Sequence, residues 1–342
     1  MTGAAMGWEE VRSAAREKLL GVCSLCRVCD GRVCAGQVPG MGGVGTGTSA
    51  INNYEALRAI KLNLRTLHAA TEPELSVTLF GKTLALPVLG APVAGAKVNF
   101  QGRILEWEFT LAQVQGAREA GTLACTGDGA EPEEYAMGLK AVQAVGGRGI
   151  PVIKPRPAEE ILRRIRLAED AGAVAVGIDV DAAGLMSMRR AGVAVGPLAP
   201  DVLARICSAT GLSVIVKGVM TADEARLAYE CGAAGIVVSN HGGRVLDYTP
   251  GTAEVLPSVA AEVKGKLTIL ADGGVRSGVD VLKFLALGAD AVLVGRPAAW
   301  AAFGGGAEGV RLLYRKLAEE LRVAMILTGC PSPAAAGPAL LA

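Results

Sequence analysis

Two side chains suited to acid–base and anion-binding chemistry, His241 and Arg244, lie in the segment SNHGGR (residues 239–244). The segment follows the apolar run GIVV and contains two glycines, so we expect it to leave a strand at its tip. The imidazole is a natural general base near neutral pH, and an arginine nearby can hold a carboxylate. A purely structural histidine is the alternative. The other histidine, His68, is interpreted as a surface or packing residue of a helical stretch outside the barrel.

Glycines and arginines coincide at the ends of two further apolar runs. Gly273, Gly274 and Arg276 follow LTILAD, and Gly295 and Arg296 follow AVLV. Phosphate groups are held in barrels by the loops after the last two strands, where backbone N–H groups and a helix N-terminus supply donors. The pattern therefore predicts a phosphate site, with tight-turn glycines and surface arginines as the alternative.

Lys217 ends the apolar run SVIV. Its ammonium must reach the barrel mouth, because burial of an unpaired charge is costly. The lysine could form a Schiff base, or its charge could stabilise an anionic cofactor, and the pattern alone leaves both open.

Four of the eight cysteines, Cys23, Cys26, Cys29 and Cys34, have the spacing C-x2-C-x2-C-x4-C. This spacing suits a [4Fe–4S] cluster, since ferredoxin-type runs begin similarly. Zinc and free or redox-active thiols are the alternatives, and disulfides are not expected in a cytoplasmic enzyme. Packed free thiols are predicted for the remaining cysteines: Cys125, Cys207, Cys231 and Cys330.

Eight strand-like apolar runs alternate with segments of helical spacing, which predicts a single (β/α)8 barrel. A hairpin turning at Gly81 and Lys82 precedes the first run, and a closing helix is expected over residues 308–324. The predicted organisation is a helical, cysteine-containing extension (1–74), a barrel (75–330) and a loose tail (331–342). The predicted strands are residues 86–92, 121–128, 150–155, 173–180, 212–219, 235–240, 267–274 and 291–297.

The bulk composition excludes several classes of partner. With 34 basic and 33 acidic residues, no global charge favours nucleic acid. No apolar run approaches the roughly 18 to 20 residues of a membrane span, and the N-terminus is too charged for a secretory signal. We therefore expect a cytoplasmic protein.

Several segments together resemble the FMN-dependent α-hydroxy-acid oxidase and dehydrogenase family, which includes glycolate oxidase, lactate oxidase and flavocytochrome b2. The resemblance implies an FMN-binding barrel, often a homotetramer, that oxidises a 2-hydroxy acid to the 2-oxo acid and passes electrons to oxygen or a redox protein. The segments are VIVKGV, VVSNHGGRVLDY, LADGGVRSGVDVLKFLALGADAVLVGRP and TGC.

By this resemblance, His241 takes a proton from the substrate as a hydride equivalent passes to flavin N5. Arg244 binds the substrate carboxylate, Asp181 orients the histidine, and Lys217 lies beside flavin N1 and O2. The other residues that resemble FMN contacts are Ala91, Pro92, Lys154, Ser239, Asp272, Gly274, Arg276, Gly295 and Arg296.

The substrate side departs from the family. The active-site tyrosine after strand 3 is absent, and Lys154 and Arg156 stand around its place. Residues 126–129, TGDG, replace a serine-rich segment, and only Arg189 and Arg190 lie near the expected second substrate arginine. Two alternatives therefore stay open: a non-redox flavin enzyme like type 2 isopentenyl diphosphate isomerase, and a flavin/iron–sulfur electron-transfer protein.

Overall fold

A computed structural model describes residues 6–342, so residues 1–5 of the predicted extension lie outside the described residues. Eight parallel strands, β3 to β10, form a closed barrel in chain order, with β10 paired to β3. This confirms the predicted (β/α)8 architecture. The strands are β1 (Val77–Leu79), β2 (Lys82–Leu84), β3 (Val88–Val93), β4 (Ala124–Thr126), β5 (Gly149–Ile153), β6 (Ala175–Asp179), β7 (Ser213–Val219), β8 (Gly235–Val238), β9 (Thr268–Ala271) and β10 (Ala291–Val294).

Helices alternate with the strands and surround the barrel, as expected for parallel strands buried on both faces. None of the helices described is both long and apolar enough to cross a membrane. The helices are α1 (Trp8–Lys18), α2 (Thr48–Ala59), α3 (Ala96–Asn99), α4 (Glu106–Glu119), α5 (Pro132–Ala144), α6 (Ala158–Asp170), α7 (Met186–Arg190), α8 (Pro200–Ser208), α9 (Ala222–Glu230), α10 (Thr252–Val263), α11 (Gly278–Ala286) and α12 (Arg296–Thr328).

Alternation along each strand divides the core into two layers. In β7, Ile215 joins the cluster inside the barrel, whereas Val214 and Val216 belong to the cluster beneath the helices. The same alternation turns Lys217 to the face of Ile215. Some strands end earlier than predicted because the residues that follow turn. After β9, Gly273 and Gly274 have φ of 93° and 86°, values that β-strands do not adopt.

The hairpin of β1 and β2 is confirmed, with its turn one residue earlier than predicted. Phe80 and Gly81 both have positive φ, and Lys82 pairs with Leu79. Two positive φ values match the two-residue turn that fits strand twist. Leu79 and Leu84 pack with the apolar side chains inside the barrel, so the hairpin covers its amino-terminal end.

The N-terminal extension folds onto the barrel. Helix α1 lies so close to α12 that a Cβ on Gly304 would come within 2.0 Å of the Val11 carbonyl oxygen. Helix α2 ends at Ala59, so the helical stretch predicted as far as His68 is too long, and His68 is exposed. Helix α12 is broken at Gly306, whose φ of 57° and ψ of −143° are non-helical, and the part after this break is the predicted closing helix, which continues to Thr328.

The C-terminal tail differs from the loose segment predicted over residues 331–342. It forms two 3-10 turns, Pro333–Ala335 and Pro338–Leu340. Asn63 N donates to Leu340 O at 2.8 Å, and Ala342 N donates to Lys61 O at 3.1 Å. Backbone hydrogen bonds to the extension therefore order a segment that has no periodicity of its own.

Candidate active site

His241 lies in the loop after β8, with its backbone in the left-handed region at φ 59°. Its Nδ1 atom lies 2.9 Å from Asp181 Oδ1, and its backbone N–H donates to Ser239 Oγ at 3.0 Å. This contact occupies Nδ1, so Nε2 is the ring nitrogen left to exchange a proton with a small molecule. The structure thus brings together the predicted pair His241 and Asp181.

The electrostatics of His241 favour a neutral imidazole. Burial lowers the pKa of His241 well below its usual range, and the attraction of Asp179 only partly opposes this. The side chain keeps 14% of its surface exposed. An uncharged imidazole that a small molecule can reach is the form required of a general base.

Asp179, which the sequence analysis missed, lies at the centre of a buried charged network. Its carboxylate contacts Lys154 Nζ at 2.5 Å and Lys217 Nζ at 2.8 Å. His241 Nδ1 lies 3.5 Å away. The available signal was the spacing in GIDVD, which places Asp179 and Asp181 two residues apart at a strand tip and so on the same side.

The two carboxyls beside His241 have opposite pKa shifts. Burial alone would raise the pKa of Asp179, but His241, Lys154 and Lys217 together hold it well below its usual range. Burial raises the pKa of Asp181 well above its usual range, and the nearby charge of Asp179 adds to this. Asp179 is therefore the more acidic of the two carboxyls, and Asp181 is the more basic.

Lys217 is a permanent cation inside the barrel mouth. Burial lowers the pKa of its ammonium, but Asp179, Asp181 and Asp272 outweigh burial and raise the pKa above its usual value. A Schiff base requires a neutral amine. Of the two roles left open by the sequence, the structure therefore favours stabilisation of a negative charge.

Arg244 lies near His241 and contacts the glycine-rich segment (residues 39–49). Its guanidinium donates to Asn99 Oδ1 at 2.9 Å and to the Gly40 carbonyl. Burial lowers the pKa of Arg244 to about 10, so the group remains charged at neutral pH. Asn99, which sequence reasoning missed, ends helix α3 and orients this arginine.

The predicted phosphate ligands Arg276 and Arg296 carry donors suited to an anion. Arg296 donates to the carbonyls of Met41, Gly42 and Gly242 at 2.7, 3.2 and 3.1 Å. Helix α12 begins at Arg296, directly after Gly295, so its N-terminal N–H groups lie at the same position.

Two buried polar atoms near the strand tips, Arg276 Nε and Asp272 Oδ1, have no hydrogen-bond partner among the described residues. Buried polar atoms are normally paired, so a missing partner marks a place for a ligand group. The unpaired Nε of Arg276 can donate to a phosphate oxygen, and the unpaired Oδ1 of Asp272 can accept a hydrogen bond from a hydroxyl. The residues present therefore fit the phosphate and the ribityl chain of FMN.

Close packing against helix α2 fixes the loops that carry these groups. A Cβ on Gly274 would come within 2.5 Å of Asn53 O, and one on Gly243 within 2.3 Å of Ala50 N. Asn53 Nδ2 donates to Asn240 Oδ1 at 2.8 Å, beside the buried Ser239. Asn53 and Asn240 position the site, and the sequence analysis did not single them out.

Ala91 and Pro92 occupy an irregularity in β3. The register between β3 and β4 shifts between Gly90 and Val93, so the strand bulges there. Bulges are common next to active sites, where they redirect the chain. Gly295 lies against this bulge, since a Cβ on it would be 3.6 Å from the Cβ of Ala91.

The residues near the missing tyrosine are engaged with one another. Arg156 donates to both oxygens of Asp128, at 3.0 and 3.1 Å, and Arg164 donates to the same carboxylate at 3.1 Å. Arg156 therefore stabilises the loop after β4. Arg189 and Arg190 are both exposed on α7.

The cysteine loop (residues 23–34) lies beside Arg276 and Arg296. Its four cysteines, with Met41 and Arg296, line a cavity of about 250 Å³. Arg276 Nη2 donates to Cys29 Sγ at 3.4 Å. The only group of three potential ligand atoms within 4.8 Å of one another in the described residues is Asp179, Asp181 and His241, so the cysteine sulfurs are not gathered around a single ion.

Comparison with known proteins matches residues 40–197 and 187–342 to the FMN-dependent dehydrogenase family. A 4-hydroxymandelate oxidase from Amycolatopsis orientalis is 38% identical, covering 86% of this chain and 90% of that protein. L-lactate oxidase from Lacticaseibacillus rhamnosus is 32% identical, covering 82% and 83%. A mandelate oxidase variant solved with 2-hydroxy-phenylacetamide has a TM-score of 0.80 at 35% identity, covering 98% of both chains.

The family match includes all eight barrel strands and the loops at their carboxyl ends. It confirms the resemblance drawn from SNHGGR and the glycine–arginine pairs, and with it the expectation of FMN as cofactor. The chain belongs to the FMN-dependent dehydrogenase family.

Proposed function

We propose that this protein oxidises a 2-hydroxy acid to the 2-oxo acid, with His241 as the base. The observation that carries the proposal is the neutral imidazole of His241, which contacts Asp181. The buried cation Arg244 follows His241 by three residues. FMN, when bound, supplies the acceptor for the two electrons and the hydrogen that leave the substrate. The FMN-dependent hydroxy-acid oxidases among the relatives support the same reaction class.

In this proposal the chain's own side chains bind the substrate and move its proton. Arg244 holds the carboxylate through charge-assisted hydrogen bonds, which fixes the orientation of the α carbon. Nε2 of His241 takes the proton from the substrate, and Asp181 stabilises the imidazolium that forms. Lys217 places a positive charge where the reduced cofactor is negative.

The FMN contacts are proposals of the same kind. Arg276, Arg296 and the first turn of α12 are proposed to bind the phosphate, with Asp272 accepting from a ribityl hydroxyl. The remaining contacts proposed are Ala91, Pro92, Lys154, Lys217, Ser239, Gly274 and Gly295. Lys154 is held in an ion pair with Asp179.

An anaerobic titration with 2-hydroxy acids tests the function. Mandelate, 4-hydroxymandelate, lactate and glycolate are the first choices, because relatives are named for them. Bleaching of the flavin band by a hydroxy acid supports the proposal, and exposure to air then shows whether oxygen accepts the electrons. A flavin that no hydroxy acid reduces, in a protein that isomerises an allylic diphosphate or only exchanges electrons with redox partners, would contradict it.

Three further assignments complete the proposal. We propose a homotetramer and a cytoplasmic location, which rest on family resemblance and on composition. Light scattering of the purified protein tests the assembly. We also propose that Cys23, Cys26, Cys29 and Cys34 hold a metal centre, since four thiolates can ligate one.

Arg244→Met is expected to raise the KM for the hydroxy acid by about 10- to 150-fold, the loss that follows removal of a charged hydrogen bond. The substitution keeps most of the side-chain volume and removes the charge that binds the carboxylate. Steady-state kinetics with the best substrate measure the effect. Arg205→Met, at an exposed arginine of α8, is the matched control and should leave KM unchanged. Equal KM values for Arg244→Met and the unmodified protein would remove Arg244 from the substrate site.

The acid limb of the pH profile should lie below the usual histidine pKa of about 6.5. A base works only when unprotonated, and burial lowers the pKa of His241, so activity should persist as the pH falls through 6.5 and decline only at lower pH. The kcat/KM profile reports this pKa for the free enzyme. A limb centred at or above 6.5 would show that His241 titrates as an ordinary exposed histidine.

A further inference from the structure

Packing and hydrogen bonds fix the backbone of the cysteine loop. Leu25 is 1% exposed and has φ 40°, and its carbonyl accepts from Arg16 Nη2 at 3.3 Å. Arg12 Nη2 donates to the Cys26 carbonyl at 3.4 Å. These contacts fix the backbone between the first two cysteines and hold their side chains at one cavity.

Contact with the glycine-rich segment fixes the other end of the loop. A Cβ on Gly42 would come within 1.8 Å of the Cys34 carbonyl oxygen, so the two segments touch through their backbones. The same segment covers the barrel mouth, because Val44 N donates to Gly243 O at 2.8 Å. The cavity is therefore attached to the loop that carries His241 and Arg244.

The spread of the four sulfurs argues against a single zinc ion. A structural zinc site gathers four thiolates around one ion, whereas no three of these sulfurs lie within 4.8 Å of one another. In a [4Fe–4S] cluster each thiolate binds a different iron, so the ligands stand farther apart around an inorganic core. Four half-buried cysteines around a cavity of about 250 Å³ match the second arrangement.

The charges at the inner side of the cavity also suit a cluster. Four thiolates make an iron–sulfur centre anionic, and Arg296 lines the cavity while Arg276 donates to Cys29 Sγ. Hydrogen bonds to the sulfurs stabilise such a centre and tune its potential. The same two arginines are the proposed ligands of the FMN phosphate, so they could serve both anionic groups.

We propose that Cys23, Cys26, Cys29 and Cys34 bind a [4Fe–4S] cluster next to Arg276 and Arg296, the proposed ligands of the FMN phosphate. The placement beside FMN rests on the proposed function, whereas cluster binding does not. Oxidation of one 2-hydroxy acid releases two electrons and two protons. A cluster carries one electron at a time, so it would pass the two electrons of one turnover singly to a one-electron acceptor.

Metal and sulfide analysis of anaerobically purified holoprotein tests the proposal. We expect roughly four iron atoms and four acid-labile sulfides per chain, as a [4Fe–4S] centre requires, and a reduced-cluster EPR signal after dithionite. The double variant Cys23→Ala/Cys26→Ala should lose at least nine tenths of the iron and keep its FMN. Cys207→Ala is the matched control, because Cys207 is also half-buried but lies on α8, and it should keep both.

Three results would overturn the cluster. These are zinc at one atom per chain, iron retained in the double variant, or no iron taken up by the unmodified protein after reconstitution with ferrous iron and sulfide. Reconstitution needs no variant, so it decides the question even if the double variant fails to fold. Flavin bleaching by a hydroxy acid is measured separately, so loss of the cluster proposal and loss of the proposed function are distinguishable.

Discussion

His241→Ala is expected to slow the reduction of bound FMN by the hydroxy acid by about 10²- to 10⁴-fold, the usual contribution of a general base. No other imidazole can replace it, because the second histidine, His68, is exposed and bonded to the Arg65 carbonyl. Anaerobic stopped-flow measurement of flavin bleaching isolates this step from reoxidation. The acid limb assigned to His241 should also disappear from the pH profile of the variant.

His68→Ala is the matched control and should reduce its flavin at the normal rate. The FMN content of His241→Ala should equal that of the unmodified protein, since none of the proposed phosphate ligands contacts the imidazole. A slow variant that has also lost FMN would indicate a damaged fold. An unchanged rate of bleaching in a fully loaded variant would mean that another group takes the proton.

The barrel was predictable because its signals are local. Each strand is a short apolar run, and each turn after a strand carries glycines or charges within the next few residues. The errors are local too: β9 stops at Ala271 because Gly273 and Gly274 turn, and α2 stops at Ala59 although its pattern continues. Periodicity identifies an element, but backbone hydrogen bonding decides where it ends.

The contacts that the glycine-rich segment makes with the site could not be predicted from the spacing of residues in the sequence. The glycine-rich segment reaches Arg244, Arg296 and Gly243 across some 200 residues of chain. Glycine suits these contacts because a Cβ on Gly43 would come within 3.3 Å of the Gly243 carbonyl. Nothing in the segment's own sequence says which strand tip it covers, because close approach depends on both partners.

The role of Asp179 in the site was not predicted from the sequence, for a different reason. An aspartate inside an apolar strand is costly to bury unless cations meet it, and those cations, Lys154 and Lys217, come from two other strands. Lys154 and Asp179 therefore bring a positive and a negative charge into the barrel together. The departure at Lys154 and the unexpected Asp179 are thus one feature, a buried ion pair beneath the base.

Asp179→Asn is expected to lower the free energy of unfolding by about 3–5 kcal/mol, the cost of removing one partner of a buried ion pair. The substitution leaves the ammonium of Lys154 without its counter-charge and that of Lys217 with Asp181, 3.9 Å away, as its remaining ion-pair partner. Urea unfolding in a fixed excess of FMN measures the change. Because the pKa of Asp179 is held below its usual value of about 3.9, its carboxylate stabilises the fold above that pH, and the contribution is lost only as the pH falls through the lowered pKa.

Neutralising the second partner should restore much of this loss. Lys154→Gln added to Asp179→Asn removes the uncompensated ammonium, so the double variant should be more stable than Asp179→Asn alone, and the two changes should be strongly non-additive. Glu230→Gln, which breaks the exposed pair with Arg226, controls for the loss of any ion pair and should cost about 0–1 kcal/mol. If Asp179→Asn were no more costly than Glu230→Gln, the buried network would contribute nothing to the fold. A double variant with purely additive losses would mean that Lys154 and Asp179 act independently, despite the 2.5 Å between them.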